Sequence, residues 1–345
     1  MPGGMEQHVA QLTAAQRRLG VRVTQVHNSG EAIGEAIRLW PLLRTDRLRP
    51  NLLRWSLFYF GALFRQIDTS DCRVLVLHVH GDWQAFLLGR ALAARLGVNV
   101  RAATLHEWVR GDQVYATALR TYAPIFCTGA NEAKRLTGIT GSSVIHLPSA
   151  PADLFFARSQ RNNPIVDVIA VGTLNPRKNY DLLLDCAALL PRVTFAIYGD
   201  GPERGRLEQL SIQMRLKNVQ FRGPASPEAI RAGLSSSRLF INTAFSEGSP
   251  TAALEAMACG LPVVLTPSND YSSIVTDGLN GKVTGSFEAG ELASAIEEFI
   301  GNPDRLEKAR RKSLDVAALH RWDAKALLVT NEMMDVANRL RHSRA

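Results

Sequence analysis

Short, nearly unbroken apolar runs, each followed by a stretch with helical spacing, constrain this chain more than any other feature. In the second half, strands are expected over 165–171, 193–198, 218–221, 239–242 and 262–265, and helices over 180–190, 203–214, 227–234 and 251–259. A strand that is apolar at successive positions is buried on both faces, as in parallel sheets covered by helices on both sides. The first half carries the same signal more loosely, with helices over 5–19 and 83–96 and strands over 21–26, 74–79, 98–105 and 124–127. The expected fold class is therefore α/β, with two such halves in series facing one another across a cleft. Pro148, Pro151 and the polar stretch 159–163 make 148–164 the natural linker.

A chain of 345 residues, 46% hydrophobic and 21% charged, has material for about two domains with cores of their own. The four cysteines, Cys72, Cys127, Cys186 and Cys259, form no CxxC pair, which excludes a disulfide scaffold or zinc ribbon and suits a reducing compartment. No apolar run approaches the ~18–20 residues of a membrane span. The opening MPGGMEQ lacks a basic stretch followed by an apolar one, so a cytoplasmic protein is expected. Net charge is +8, and residues 1–155 hold 17 Lys and Arg against 11 Asp and Glu. A basic first half suits nucleic acid, an anionic membrane or phosphorylated substrates, and charge alone does not choose.

The motifs narrow the choice. Ser249 suits a helix N-cap and Pro250 the first helical position, while Gly260 and Pro262 stop that helix. Its start, around Ser249, Pro250 and Thr251, offers unpaired N–H groups and a positive dipole end suited to phosphate. Glu247 lies on the loop just before it. Glu255, the only charge between Glu247 and Asp270, lies roughly 7.5 Å along the axis. A diphosphate seated there has a carboxylate on each side to accept hydrogen bonds from sugar hydroxyls. A second cluster runs Gly172-Thr173-Leu174-Asn175-Pro176-Arg177-Lys178-Asn179 after the 165–171 strand. Asn179 is expected to cap the next helix, placing Arg177 and Lys178 at its positive end. Cations there are unfavourable by roughly 0.3–1 kcal/mol each unless an anion is bound.

Weaker signals surround these. Gly199-Asp200-Gly201-Pro202 reads as a tight turn, and the turn at Arg222 and Gly223 can offer backbone groups to a base. Gly3 and Gly4 directly precede a helix, where glycines let a backbone approach phosphate closely. His78, His80 and His106 end strands, and ligands of open α/β sheets bind beyond strand carboxyl ends. No histidine–carboxylate cluster reads as a metal site, and there is no GxGxxG or Walker loop.

Together, the Glu247-x7-Glu255 element with its EAMACGLPVV tail, the Gly172 loop with Lys178, the Tyr198-Gly-Asp-Gly-Pro202 turn and the opening Gly-Gly-Met-Glu resemble the retaining GT-B glycosyltransferases of family 4. The likeness covers nearly the whole chain, most closely 164–300. It implies two Rossmann-like domains: an acceptor-binding one over 1–155 and a nucleotide-sugar-binding one over 164–315, with a C-terminal helix in 316–345 returning to the first. It further implies transfer of a hexose-type sugar with retention and without a metal, the donor being a UDP- or GDP-sugar and no other cofactor being needed. Carried over residue by residue, Lys178 holds the diphosphate, Glu247 touches the donor sugar's hydroxyls and Glu255 the ribose. The backbone from Ser249 to Thr251 serves sugar or phosphate, Gly3 and Gly4 approach the diphosphate from the other domain, and His106 lines the reacting centre. Three departures stand out. Gly172-Thr173-Leu174 replaces the usual Gly-Arg-Leu, leaving Arg177 as the substitute cation. Pro148-Ser149-Ala150 replaces the usual Asn-Gly of the linker. A strand precedes the Gly-Gly loop in the family, so the first N-terminal strand is expected to be missing here.

The expected acceptor is a glycan or a lipid-linked molecule, and nucleic acid is not an expected partner. Within 38–66, Arg38, Arg44, Arg47, Arg49, Arg54 and Arg65 interleave with Trp40, Trp55, Phe58, Tyr59 and Phe60. Such a segment can rest on an anionic membrane, placing the protein peripherally at the inner face. Two other readings share the donor site: a nucleotide-sugar epimerase of similar fold, and a non-catalytic nucleotide-sugar-binding protein.

Overall fold

The computed structural model describes residues 4–27, 36–38, 74–79, 83–106, 113–157, 165–247, 249–268 and 271–342. It divides into two units, Met1–Ser149 with Trp322–Ala345, and Ala150–Arg321. The membrane-docking segment 38–66 lies outside the described residues except for Arg38, as do Gly3, His80 and anything ahead of Gly4 that bears on a first strand.

The first unit opens with α1 (Gly4–Arg18) and a parallel pair, β1 (Gln25–His27) and β2 (Ala36–Arg38). The strand expected over 21–26 is corrected to β1. Helix α1 ends at Arg18, Gly20 turns the chain at φ +80°, and the Val21 N–H bonds back to Gln16 O, so the strand forms only from Gln25. There follow β3 (Val74–Val79), α2 (Trp83–Arg95), β4 (Val100–Leu105), α3 (Gln113–Leu119), β5 (Ile125–Cys127), α4 (Ala130–Thr140) and β6 (Val144–His146). Strands β3 to β6 lie side by side in sequence order, all parallel. Phe86, Leu105, Leu119, Tyr122 and Leu136 fill the space beneath them, and the buried Tyr122 hydroxyl donates to Phe86 O at 2.7 Å. The C-terminal helix (Trp322–His342) belongs to this unit and lies along α1. Its buried stripe, Trp322, Ala326, Val329, Met333 and Ala337, has helical spacing, and Arg18 pairs with Asp323 at the helix start.

The second unit is one six-stranded parallel sheet. In chain order it runs β7 (Val166–Val171), α5 (Tyr180–Leu189), β8 (Phe195–Tyr198), α6 (Arg204–Gln213), β9 (Val219–Gly223), α7 (Pro227–Ser235), β10 (Ser237–Asn242), α8 (Thr251–Ala258), β11 (Val263–Leu265), β12 (Gly281–Val283), α9 (Ala289–Ile300) and α10 (Pro303–Leu319). The spatial order is β12-β11-β10-β7-β8-β9. The chain thus builds outward from β7 in one direction and returns to build from β10 in the other. The crevice outside the carboxyl ends of β7 and β10 is where such sheets bind ligands. One face is covered by Leu183 and Leu184 of α5 with Ile296 and Phe299 of α9, the other by Leu254 and Met257 of α8 with Tyr271.

The two units divide between Ser149 and Ala150, within the expected linker 148–164. Asp153–Phe156 forms a 3-10 turn, and Phe155, 3% exposed, packs against Leu254 and Phe240 in the second core. Burying that ring contributes about 1.5–3 kcal/mol. Residues 158–164 lie outside the described residues. The Gly199-Asp200-Gly201 turn is structural: Gly199 sits at φ +141°, and a Cβ there would lie 1.9 Å from Gly172 O. Backbone bonds from Leu174 N to Asp200 O and from Glu203 N to Leu174 O clip it onto the β7 loop.

Candidate functional site

The crevice at the β7–β10 junction is built from three loops. After β7, Asn175 accepts from the Lys178 N–H at 3.2 Å and starts a 3-10 turn, Pro176–Lys178. Asn179 then takes the left-handed conformation (φ 51°) and precedes α5 without a side-chain cap bond, which corrects its expected capping role. Arg177 and Lys178 therefore stand on a tight turn at the mouth of the crevice. Arg177 is exposed, as is Thr173, while Lys178 is turned inward beside Gly172, its Cε 3.6 Å from where a Cβ on that glycine would stand.

The second loop follows β10. The Phe245 N–H bonds to Arg177 O at 2.9 Å, and the Thr243 hydroxyl donates to Lys178 O at 3.0 Å, which stitches it to the first loop. On its other side the Thr266 hydroxyl donates to Ala244 O at 2.7 Å, and the Glu247 N–H reaches Ser268 O at 3.3 Å, on the loop after β11. Held from both flanks, Glu247 presents its carboxylate to Lys178. Lys178 Nζ lies 2.5 Å from Glu247 Oε2, and the two side chains are only 14% and 10% exposed. Asn242, the last residue of β10, donates to the same oxygen at 3.1 Å. A small cavity of about 10 Å³ lies beside the pair, lined by Ala170, Val171, Lys178, Tyr180, Ile241, Asn242 and Thr243.

The third element is α8. Its expected start is corrected: the helix begins at Thr251, and Pro250 occupies the cap position, so Ser249 does not cap it. The Ser249 hydroxyl instead lies 3.4 Å from Thr251 Oγ1. The first intrahelical donor is Leu254, bonded to Pro250 O, so the N–H groups of Thr251, Ala252 and Ala253 have no partner within the helix. Glu255 is largely buried on this helix, and burial pushes its carboxyl up to about 7. Among the described residues no hydrogen bond reaches it. Burial and the charge of Glu247 both push the Tyr180 hydroxyl up, so it remains a proton donor. Arg222, in β9, is exposed and stands apart from the Lys178–Glu247 hydrogen bonds.

The first unit holds a separate polar cluster. His106 follows β4, and its Nε2 lies 3.2 Å from Nδ1 of His78 in β3. His8 of α1 meets the His106 ring edge-on at 4.7 Å and the Trp322 ring edge-on at 5.0 Å, and its Nδ1 lies 2.9 Å from Ser149 Oγ. Burial, with His78 and Lys325 nearby, pushes His8 down to about 3, and burial pushes His78 down to about 4. Both rings are therefore neutral at pH 7. Lys325, on the C-terminal helix, is itself pushed down to about 8 by burial. Gly4 begins α1 in the same unit.

Sequence reasoning thus singled out Lys178, Glu247 and Gly172, which the structure brings together, and His106, which it places in the other unit. It missed Asn242, His8 and Lys325. Asn242 was findable as the polar amide that directly follows the apolar run Leu239-Phe240-Ile241; His8 and Lys325 carry no local signal. Among the described residues no group of three or more His, Cys, Asp or Glu could hold a metal ion, and no helix is long and apolar enough to cross a membrane.

The sequence profile described as "Glycosyl transferases group 1" matches residues 153–315, and that described as "Glycosyltransferase Family 4" matches 2–140. The chain is 27% identical to a phosphatidylinositol N-acetylglucosaminyltransferase polypeptide of Arabidopsis thaliana, over 90% of its own length and 75% of the relative's. It is 32% identical to a D-inositol 3-phosphate glycosyltransferase of Mycolicibacterium smegmatis, over 51% of its own length and 42% of that protein's. Among solved structures, sucrose-phosphate synthase of Thermosynechococcus elongatus superposes with a TM-score of 0.74 at 20% identity, covering 99% of this chain and 94% of that one. The Anabaena protein HepE in complex with UDP gives 0.74 at 17% identity, covering 99% and 97%. These likenesses establish the two-domain GT-B fold.

Proposed function

The chain belongs to the group 1 glycosyltransferases of family 4, and we propose that it moves a hexose-type sugar from a nucleoside diphosphate donor to a glycan or lipid-linked acceptor, with retention and without a metal. The observation that carries this reading is the Lys178–Glu247 pair at the β7–β10 crevice, beside the open N-terminus of α8. Departure of a nucleoside diphosphate leaves growing negative charge on the leaving oxygen. A fixed lysine and unpaired helix N–H groups stabilise that charge without reorganising. Lys178 takes the diphosphate and frees Glu247 for the sugar's hydroxyls, with Gly172 leaving room for the phosphates to approach. The backbone of Ser249, Pro250 and Thr251 lines the same seat, exposed Arg177 adds a cation where Thr173 cannot, and Glu255 accepts from the ribose. Arg222 and Gly223 border the base. In the first unit, we assign the acceptor to the carboxyl ends of β3 and β4, with His106 at the reacting hydroxyl and Gly3 and Gly4 as phosphate-approaching backbone.

UDP-sugars are the first donors to try, since HepE is described with UDP. The two relatives reported above are named for inositol-containing acceptors, so phosphatidylinositol and inositol phosphate belong in the acceptor panel. Incubating the protein with UDP- and GDP-sugars and following nucleoside diphosphate release tests the reading directly, and the anomeric configuration of the product tests retention. Isomerised donor would point to an epimerase instead, and binding without turnover to a non-catalytic protein. Flotation with anionic against neutral vesicles tests membrane docking by 38–66; equal recovery on both would refute it.

A further inference from the structure

Glu247 receives two donors on one oxygen. Lys178 Nζ and Asn242 Nδ2 both contact Oε2, at 2.5 and 3.1 Å, and neither contact uses Oε1. The two donors differ in how firmly they are held. Lys178 reaches from a 3-10 turn on a long flexible stem. Asn242 has a short side chain on the last residue of β10, whose backbone is in register with Leu265 and whose carbonyl accepts from the Thr266 N–H at 3.0 Å. Its amide is also fixed in orientation. Oδ1 accepts from the Ala244 N–H at 2.9 Å, so Nδ2 must be the end that faces the carboxylate. A flipped amide would set oxygen against oxygen and N–H against N–H.

We propose that Asn242 is a positioning residue that keeps Glu247 Oε2 in place when Lys178 moves to the donor's diphosphate, leaving Oε1 for the sugar's hydroxyls. This rests on the donor-site reading given above. The ammonium cannot lie on both the carboxylate and the phosphates at the same short distance, so on donor binding its hold on Glu247 lengthens. Asn242 does not move with it. A hydrogen bond to a charged group is worth roughly 1.5–3 kcal/mol, so losing it costs about 10- to 100-fold in a step that depends on Glu247. UDP carries no hexose, so its affinity is untouched.

The test uses Asn242→Asp and Asn242→Leu in the full chain, with UDP affinity by calorimetry and UDP release from UDP-glucose between pH 5.5 and 8. Asn242→Asp keeps the acceptor for the Ala244 N–H but sets a carboxylate against Glu247. The titratable groups beside Glu247 are Lys178, Tyr180 and Tyr271, together with any proton the new carboxylate shares. At pH 8 both variants should lose at least tenfold in turnover. Asn242→Leu should keep UDP affinity within twofold of wild type, whereas the new carboxylate of Asn242→Asp, close to Lys178, should also weaken UDP binding at pH 8 and less so at pH 5.5. For Asn242→Asp, the ratio to wild type should climb toward one at pH 5.5, because a shared proton restores an O–H donor to Glu247; taking the ratio cancels the titration of Glu255. Unchanged turnover, or a loss shared equally by UDP binding with a flat pH ratio, would overturn the positioning role while leaving the donor site intact. A wild-type protein that neither binds UDP nor turns over any sugar nucleotide would overturn the donor site and this proposal with it.

Discussion

Both units gather titratable side chains at the carboxyl ends of parallel strands, and they handle charge in opposite ways. In the second unit Lys178 and Glu247 face each other, so each charge offsets the other's desolvation. In the first unit the neighbours of His8 are other bases, His78 and Lys325, and burial holds the imidazoles neutral. A preformed ion pair can hand its cation to an anionic ligand. Neutral imidazoles hydrogen-bond a hydroxyl without holding a phosphate. That contrast fits a donor on the second unit and an acceptor hydroxyl on the first.

The largest effect should come from dismantling the charged side of the contrast. Lys178→Ala and Glu247→Ala should each lower turnover about 10²- to 10³-fold, as loss of a preorganised transition-state contact does. His106→Ala should lower turnover while leaving UDP affinity unchanged. A His106 variant that weakens UDP binding would erase the division between the units.

Acid should separate the units by stability. His8 and His78 have folded values below the ordinary 6.5, so the unfolded chain binds more protons, and stability present above pH 6.5 is lost as pH falls toward 4. By pH 5 this is roughly 2 kcal/mol per histidine. Glu255 has a folded value near 7, above its ordinary one, so the second unit gains from that group as pH falls from 7 toward 4.5. Scanning calorimetry at pH 7 and pH 5 should show the first unit's transition falling relative to the second's, and His8→Asn should reduce the gap. Parallel movement of both transitions would refute the contrast.

A smaller effect concerns donor affinity. With Glu255 proposed to accept from the ribose, UDP-glucose affinity should fall about tenfold from pH 8 to pH 6, which is the change in ionised fraction for a group near 7. Glu255→Gln should flatten that dependence in a calorimetric titration. The smallest effect is a gain: Thr173→Arg, on the exposed β7 loop, should tighten UDP-glucose binding about two- to fivefold, the worth of one exposed cation near an anion. No change would mean that Arg177 already fills the role.

The second unit was legible as far as β11 because most of its strands are apolar at successive positions and its helices are punctuated by Pro and Gly, as at Pro227 and Gly260, whereas β12, α9 and α10 had no counterpart among the expected elements. Lys178 was legible because a cation at a helix start is unfavourable unless an anion binds, and Glu247 because an acid beside that seat can accept from the hydroxyls of a ligand held there. Their mutual pairing was not legible: 69 residues separate them, and only the β7–β10 adjacency brings them together. The cap at Ser249 was misread because Pro250 takes the cap position itself at ψ 40°. The first unit was harder to read. Helix α4 buries Ala130, Ala133, Leu136 and Thr140, a stripe with only one large apolar residue, and its partner β6 is three residues long. The His8 cluster joins α1, β3, β4 and the C-terminal helix, and no local pattern foretells so distant a meeting.

The donor assignment is tested most directly by a crystal structure of the chain with UDP-glucose. Lys178 Nζ should lie about 3 Å from a diphosphate oxygen, Glu247 should contact the glucose hydroxyls, and the phosphates should face the first N–H groups of α8. UDP-glucose bound elsewhere, or bound in the crevice with Lys178 turned away from the phosphates, would contradict the assignment.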